Sequence, residues 1–143
     1  MTELLIRRAV PDDIPAMLQV VCDWENATPW MVSVLDRAGI EASIRDVFGS
    51  REIWVAGKPV EGYLSFNPET LQVSGLYCAR PGNGVGKALM DRVKQGRDAI
   101  WLRTHEPNEA AQKFYRREGF VKVSRHAPEP PNVLHELRME WSA

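Results

Sequence analysis

The chain is short of cysteine, of charge of one sign and of long apolar runs, and each shortage removes a class of protein. Two cysteines, Cys22 and Cys78, are too few and too far apart for a disulfide-stapled secreted fold. Each lies in an otherwise apolar stretch, so both are expected as buried thiols in a reducing compartment. Lys plus Arg number 18 against 19 Asp plus Glu. Nonspecific nucleic-acid binding needs surplus cations to release counterions, so no nucleic-acid partner is expected. No segment is long and apolar enough to span a bilayer. Met1–Arg8 places charge after a short apolar run, the wrong order for a secretory signal. A cytoplasmic protein with no membrane attachment is the expectation. His105, His126 and His135 show no metal-ligand spacing, even with the cysteines included, so no metal site is expected. Repeats, low-complexity tracts and dividing linkers are missing too.

What is present describes a folded chain. Apolar residues make up 44% and charged residues 26% of 143, a globular mix whose length fits one domain, residues 1–143. Leu4–Arg8 reads as a short strand. Pro11-Asp12-Asp13 opens a helix with an Asp as N-cap, and Ile14, Met17, Leu18 and Val21 follow at helical spacing. Cys22–Trp30 reads as a loop. A second helix carries Ile40, Ile44, Val47 and Phe48, with Gly49 as its stop. The period then changes. Strands are predicted over Glu52–Ala56, Val60–Phe66 and Leu71–Cys78, separated by Gly57-Lys58 and Asn67-Pro68-Glu69 turns. After a glycine-rich turn come a helix ending at Gly96, a strand Ala99–Thr104 and a helix Asn108–Glu118. Strands Val121–Arg125 and Val133–Trp141, joined by the bend Pro128–Pro131, close the chain. The early strands, joined by short turns, should be antiparallel, whereas the strand-helix-strand unit around Gly82–Thr104 needs a crossover and should be parallel. The fold class is α/β: a mixed, mostly antiparallel sheet with helices on both faces.

Two segments carry chemistry. In the first, Gly82-Asn83-Gly84-Val85-Gly86-Lys87 lies between a strand and a helix. Glycine adopts backbone angles that other residues avoid, and the first N–H groups of the helix have no intrahelical partner. With the helix dipole they form an anion site suited to a pyrophosphate. Lys87 stands in the first turn, where it could reach a phosphate or simply be solvated. A Walker A loop is excluded, because Pro81 and Ala88 occupy its required Gly and Ser/Thr positions. The dinucleotide fingerprint fails at Lys87. In the second segment, Asn108-Glu109-Ala110-Ala111-Gln112-Lys113-Phe114-Tyr115-Arg116-Arg117-Glu118-Gly119-Phe120, the helix has a cap at Asn108, acid at its start, Arg at its end and a glycine stop.

A glycine turn, a helix, a strand and then N-x-x-A-x-x-F-Y-x-x-x-G-F closely resembles the GNAT superfamily of N-acetyltransferases. The likeness runs over nearly the whole chain, from Ile6-Arg7 and Pro11-Asp12-Asp13 onward. It implies a GNAT-like single domain with a splayed parallel strand pair whose gap takes the pantetheine arm of acetyl-CoA. By this resemblance Tyr77, Cys78 and Ala79 would supply strand contacts, Arg80 and the turn Pro81–Lys87 the phosphate contacts, and Asn108 a contact near the pantetheine. Tyr115 would protonate the departing thiolate. Pro81 stands where the family usually has Arg or Gln, and the connection from Cys78 to Gly84 is about two residues shorter than usual. Arg80 could compensate from the neighbouring position.

The implied reaction is direct attack of an amine, from a small molecule or a peptide, on the thioester, with a backbone N–H near Cys78 polarising the carbonyl. Cys78 as a nucleophile is the minority reading, since nothing nearby in sequence would activate its thiol. A base is required; Asp23, Glu25 and Glu69 are candidates. By family analogy the segments Asp23–Trp30 and Arg125–Asn132 would flank the acceptor groove, and a homodimer is compatible with the resemblance. The rival readings are a noncatalytic acyl-CoA-binding sensor or interaction module on the same fold and a different nucleotide-binding enzyme.

Overall fold

The structure, a computed structural model, describes residues 5–80 and 82–143. Strand β1 (Ile6–Arg8) leads through a single 3₁₀ turn at Pro11–Asp13 into helix α1 (Ile14–Asn26), followed by α2 (Arg37–Val47). Strands β2 (Glu52–Ala56), β3 (Gly62–Asn67) and β4 (Gln72–Cys78) come next, then α3 (Val85–Lys94) and β5 (Ala99–His105). Helix α4 (Glu109–Arg117) and strands β6 (Val121–His126) and β7 (Glu136–Ser142) complete the order. Leu4, expected in the first strand, lies outside the described residues.

One seven-stranded sheet runs β1-β2-β3-β4-β5-β7-β6. Every neighbouring pair is antiparallel except β4 and β5, which are parallel. The expected mixed sheet is therefore observed, and its two faces carry separate cores. Trp54, Ala56, Leu64 and Phe66 turn toward α3 and α4, where they meet Val85, Leu89 and Tyr115. Ile53, Val55 and Tyr63 turn the other way onto Ile14, Met17, Leu18 and Val21 of α1 and Ile44 of α2. A strand buried on both sides reads as a continuous apolar run, which is why Glu52–Ala56 shows no alternation.

Several element ends and one helix cap differ from expectation. Cys22–Asn26 continues α1 instead of forming a loop. The run is polar because Asp23 and Asn26 face solvent. Val60 and Val133 precede their strands, which begin at Gly62 and Glu136. Asp13 does not cap α1 through its side chain. Its carboxylate instead accepts from the Val10 N–H at 2.8 Å and from both terminal nitrogens of Arg7 at 2.8 and 2.7 Å. This bidentate pair fastens β1 to the start of α1.

At Gly62, helix α3 comes close to the sheet. A Cβ there would stand 2.7 Å from Val85 Cγ1 and 2.8 Å from the Tyr77 carbonyl oxygen. Only glycine permits the approach, and it sets α3 against β3 directly below the glycine-rich turn.

The Arg7 hydrogen bonds hold the Asp13 carboxyl below its ordinary range, against the opposing effect of burial. A lowered folded value means that the unfolded chain binds the proton more readily, so the contribution is complete above about pH 4 and fades as pH falls through the folded value. Asp13→Asn should lower Tm by a few degrees at neutral pH. The difference from wild type should hold down to about pH 5 and close below pH 4. Thermal denaturation across pH 2–8 checks this, and a gap unchanged at pH 2 would contradict it.

Candidate active site

Strands β4 and β5 pair only at Gln72↔Trp101 and Val73↔Leu102, although each is seven residues long. Beyond Val73 they part. The cause is a bulge: Ser65 pairs with Gly75 but its neighbour Phe66 pairs with Val73, which leaves Ser74 without an opposite residue. An extra residue bends a strand and strengthens its twist. The bulge also switches the side-chain alternation. Val73 and Leu76, three residues apart, both pack on the α3–α4 side.

The pleat decides which main-chain groups face the resulting gap. The Ala79 N–H donates to the Glu61 carbonyl at 2.7 Å. Ala79 therefore turns its amide toward β3, and by the period of two so do Tyr77 and Gly75. Leu76 and Cys78 turn theirs into the gap. Of the three strand residues expected to contact a ligand, only Cys78 offers main-chain groups there, and Leu76 joins it unexpectedly. Leu76 carried no sequence signal, because the apolar pattern places the strand but not its phase.

Trp24, Thr104, His105, Asn108, Tyr115 and Glu136 line a cavity of about 140 Å³ in the gap, together with Arg103 and the stretch from Val73 to Tyr77. Asn108 caps α4, its Oδ1 accepting from the Ala111 N–H at 3.1 Å. Tyr115 is buried, and desolvation pushes its phenol well above the ordinary value, with Tyr77 and Cys78 adding to the rise. Burial alone pushes the Cys78 thiol up to about 11. On the α1 side, Tyr63, Tyr77, Trp24, Trp30 and His105 form a chain of aromatic contacts with ring centroids 5.5–5.9 Å apart. Arg103, His105 and Glu136 carried no sequence signal, because only the splay of β5 from β4 exposes them.

The glycine-rich turn adjoins the gap. Gly82 and Gly84 have φ of 84° and 83°, left-handed values that favour glycine. Gly84 is the N-cap of α3, and the first amide to close a helical bond is Ala88, onto the Gly84 oxygen at 3.0 Å. The amides before it belong to the group that helices leave without intrahelical partners. The Val85 amide leans on Asn83 Oδ1 at 3.4 Å. Gly86 serves packing: a Cβ there would meet Phe114 Cζ at 3.2 Å. Lys87 is exposed and pairs with Asp91 at 3.4 Å and Glu118 at 3.7 Å. Arg80 is exposed and pairs with Glu61 at 2.6 Å. Both cations are at the turn but occupied by carboxylates. Pro81 lies outside the described residues.

Among the three candidate bases, Asp23 is exposed and accepts from Gln19 within α1. Glu69 is exposed in the β3–β4 turn, where its own N–H donates to Asn67. Glu25 lines a second cavity, between α1, α2 and β4, together with Tyr77, and accepts from Ser33 Oγ at 2.9 Å. The segment Arg125–Asn132 lines neither cavity; Arg125 forms a bidentate pair with Glu106 at 2.6 and 2.9 Å. Among the described residues, no group of three His, Cys, Asp or Glu side chains could hold a metal ion, and no helix is long and apolar enough to cross a membrane.

A splayed parallel pair beside a glycine-capped helix is the architecture of the GNAT acetyltransferases, and residues 49–122, just over half the chain, match the acetyltransferase (GNAT) domain family. The chain belongs to that family and is an acetyl-CoA-dependent N-acetyltransferase. It is similar to the peptidyl-lysine N-acetyltransferase YiaC of Escherichia coli strain K12, with 25% identity over 124 residues, 81% of this chain and 82% of that one. In fold it is similar to apo YjaB of Escherichia coli, with a TM-score of 0.81 at 20% identity over 98% of both chains. It is also similar to yncA of Salmonella typhimurium, solved with its cofactor acetyl-CoA, with a TM-score of 0.69 at 18% identity over 99% of this chain and 94% of that one. The donor fits the residues present: a gap edged by free-facing strand amides leads to a positively polarised helix start.

A thiol pushed up to about 11 is protonated throughout the working range and makes a poor nucleophile. Cys78→Ala should therefore keep acetyl-transfer activity within about threefold of wild type. Mass spectrometry after incubation with acetyl-CoA should find no acetylated cysteine; an acetyl adduct on Cys78 that is chased by amine would overturn this.

Proposed function

We propose that residues 1–143 form one catalytic domain, working in the cytoplasm, that transfers acetyl from acetyl-CoA to a primary amine by direct attack. The observation that carries this is the early parting of β4 from β5, which leaves Leu76, Asn108 and Tyr115 lining one gap, with the Cys78 amide turned away from β3 on the same side as that of Leu76. The turn Gly82–Lys87 takes the pyrophosphate through its amides, and Arg80 and Lys87 exchange their carboxylate partners for phosphate oxygens. The Leu76 and Cys78 main chain bonds the pantetheine amides. The Cys78 N–H is placed where negative charge develops on the thioester oxygen.

The amine approaches from the α1 side, along Trp24, Tyr77 and Glu25. Its nitrogen forms a bond to the carbonyl carbon as the carbon–sulfur bond breaks. Glu25 accepts the proton that the nitrogen loses. Tyr115 passes its phenolic proton to the sulfur and regains one from the proton released at Glu25, so amine and thioester leave as amide and thiol. Burial raises the phenol above its ordinary value, which favours the protonated donor where the amine is neutral.

No hydrogen bond involves the Tyr115 hydroxyl among the described residues, so its removal should leave packing intact. Tyr115→Phe should lower kcat by about 10²-fold or more, with little change in Tm and with coenzyme A still raising Tm. Thiol release measured across pH 6–10 checks this. An unchanged kcat would remove Tyr115 from the reaction. Wild-type protein that binds acetyl-CoA yet releases no thiol with any amine would favour a sensor.

A further inference from the structure

We propose that the acceptor is a small apolar amine bearing a carboxylate, and that Arg51 grips this carboxylate in the cavity between α1, α2 and β4. The proposal rests on the acetyl-transfer reading above and names its acceptor. The cavity measures about 280 Å³, roughly twice the volume, about 150 Å³, of a cavity that takes up one benzene. Its walls are mostly apolar, including Met17, Val21, Ile40, Ile44 and Ile53. Ser74, Gly75 and Tyr77 line both this cavity and the gap cavity, so the two adjoin across the bulge of β4. An amine held here stands on the far side of β4 from α3, next to the place where the thioester would lie.

Arg51 is the unexplained group in that cavity. Its Nε is buried without a partner, and no carboxylate pairs with its guanidinium among the described residues. The neighbouring strand residue Glu52 is committed elsewhere, to Arg97 at 2.9 Å. The Arg51 Nε–H, buried in a half-buried side chain without an acceptor, is costly until one arrives. Its planar fork matches a carboxylate in two parallel hydrogen bonds. The rim is also unfinished: Val34 and Leu35 line the cavity yet are 42% and 45% exposed. An apolar body in the cavity would cover them. Glu25, on the same lining, suits the amine end. A peptide lysine would bring a cationic tip and leave Arg51 unanswered, so the observations favour the amino carboxylate.

The test compares L-phenylalanine, L-leucine and 6-aminohexanoate with their carboxamides as acceptors, in wild type, Arg51→Gln and Arg51→Lys. Arg51→Gln should raise KM for the carboxylates about 10–100-fold and leave the carboxamides unchanged; Arg51→Lys should recover part of the loss. Comparing variants in this way cancels the different basicity of acid and amide. Calorimetry of the same amines in the presence of coenzyme A reads the site without turnover, and circular dichroism confirms that each variant is folded. Equal effects of Arg51→Gln on acid and amide, or acetylation of a lysine peptide indifferent to Arg51, would overturn the proposal and leave the acetyl-transfer reading standing. Absence of acetyl-CoA binding would instead strike that reading, while Arg51-dependent binding of the amino acids would still support the proposed site.

Discussion

One unpaired residue, Ser74, governs the arrangement of the site. Because β4 holds one residue more than β3 needs, the strand bends and its alternation switches. The bend ends the β4–β5 ladder after two residues. The switch points Leu76 and Cys78 side chains into the α3–α4 core while turning their amides into the opening. Without the bulge, β4 would pair along its length with β5, and the main-chain groups that suit a pantetheine arm would be spent within the sheet. The Ser74 hydroxyl, bonded to Ser65 Oγ at 3.0 Å and to the Ser65 carbonyl at 3.2 Å, holds the irregularity in place.

Close packing then positions the anion end. Gly62 lets α3 sit directly on β3, and Gly86 lets Phe114 of α4 press against α3. Helix α3 is thus placed by two contacts that a Cβ would obstruct, one to the sheet and one to the neighbouring helix. Its glycine cap, in left-handed backbone, opens toward the same end of the sheet as the gap. Lys94, whose ammonium donates to the Glu118 carbonyl at 2.5 Å, ties the C-terminal turn of α3 to the end of α4. Small residues do the positioning here, and the charged ones trim it.

Most of the fold was readable from patterns of period. The glycine turn and the N-x-x-A-x-x-F-Y segment announced the donor end, because capping, helix polarity and backbone freedom are local matters written in adjacent residues. Asn108 does cap α4, and Gly119 does end it with a φ of 95°. What stayed hidden depends on long-range register. Whether Ala79 or Leu76 turns its amide toward β3 or into the gap depends on the strand's phase, which the pairing with Glu61 shows. His105 and Glu136 meet through the β5–β7 ladder, a register that no local pattern encodes. The last stretch of α1 reads as a loop because its residues are polar. In fact this extension carries Trp24 and Glu25 to the cavity walls.

The segment Ser74–Tyr77 is a partition one strand thick between two chambers. A molecule entering from the α3 side and another entering from beneath α1 would touch across it without sharing a doorway. Each could then arrive in either order, and the two reaction products could depart by separate exits, so that neither would have to wait for the other to clear a common passage.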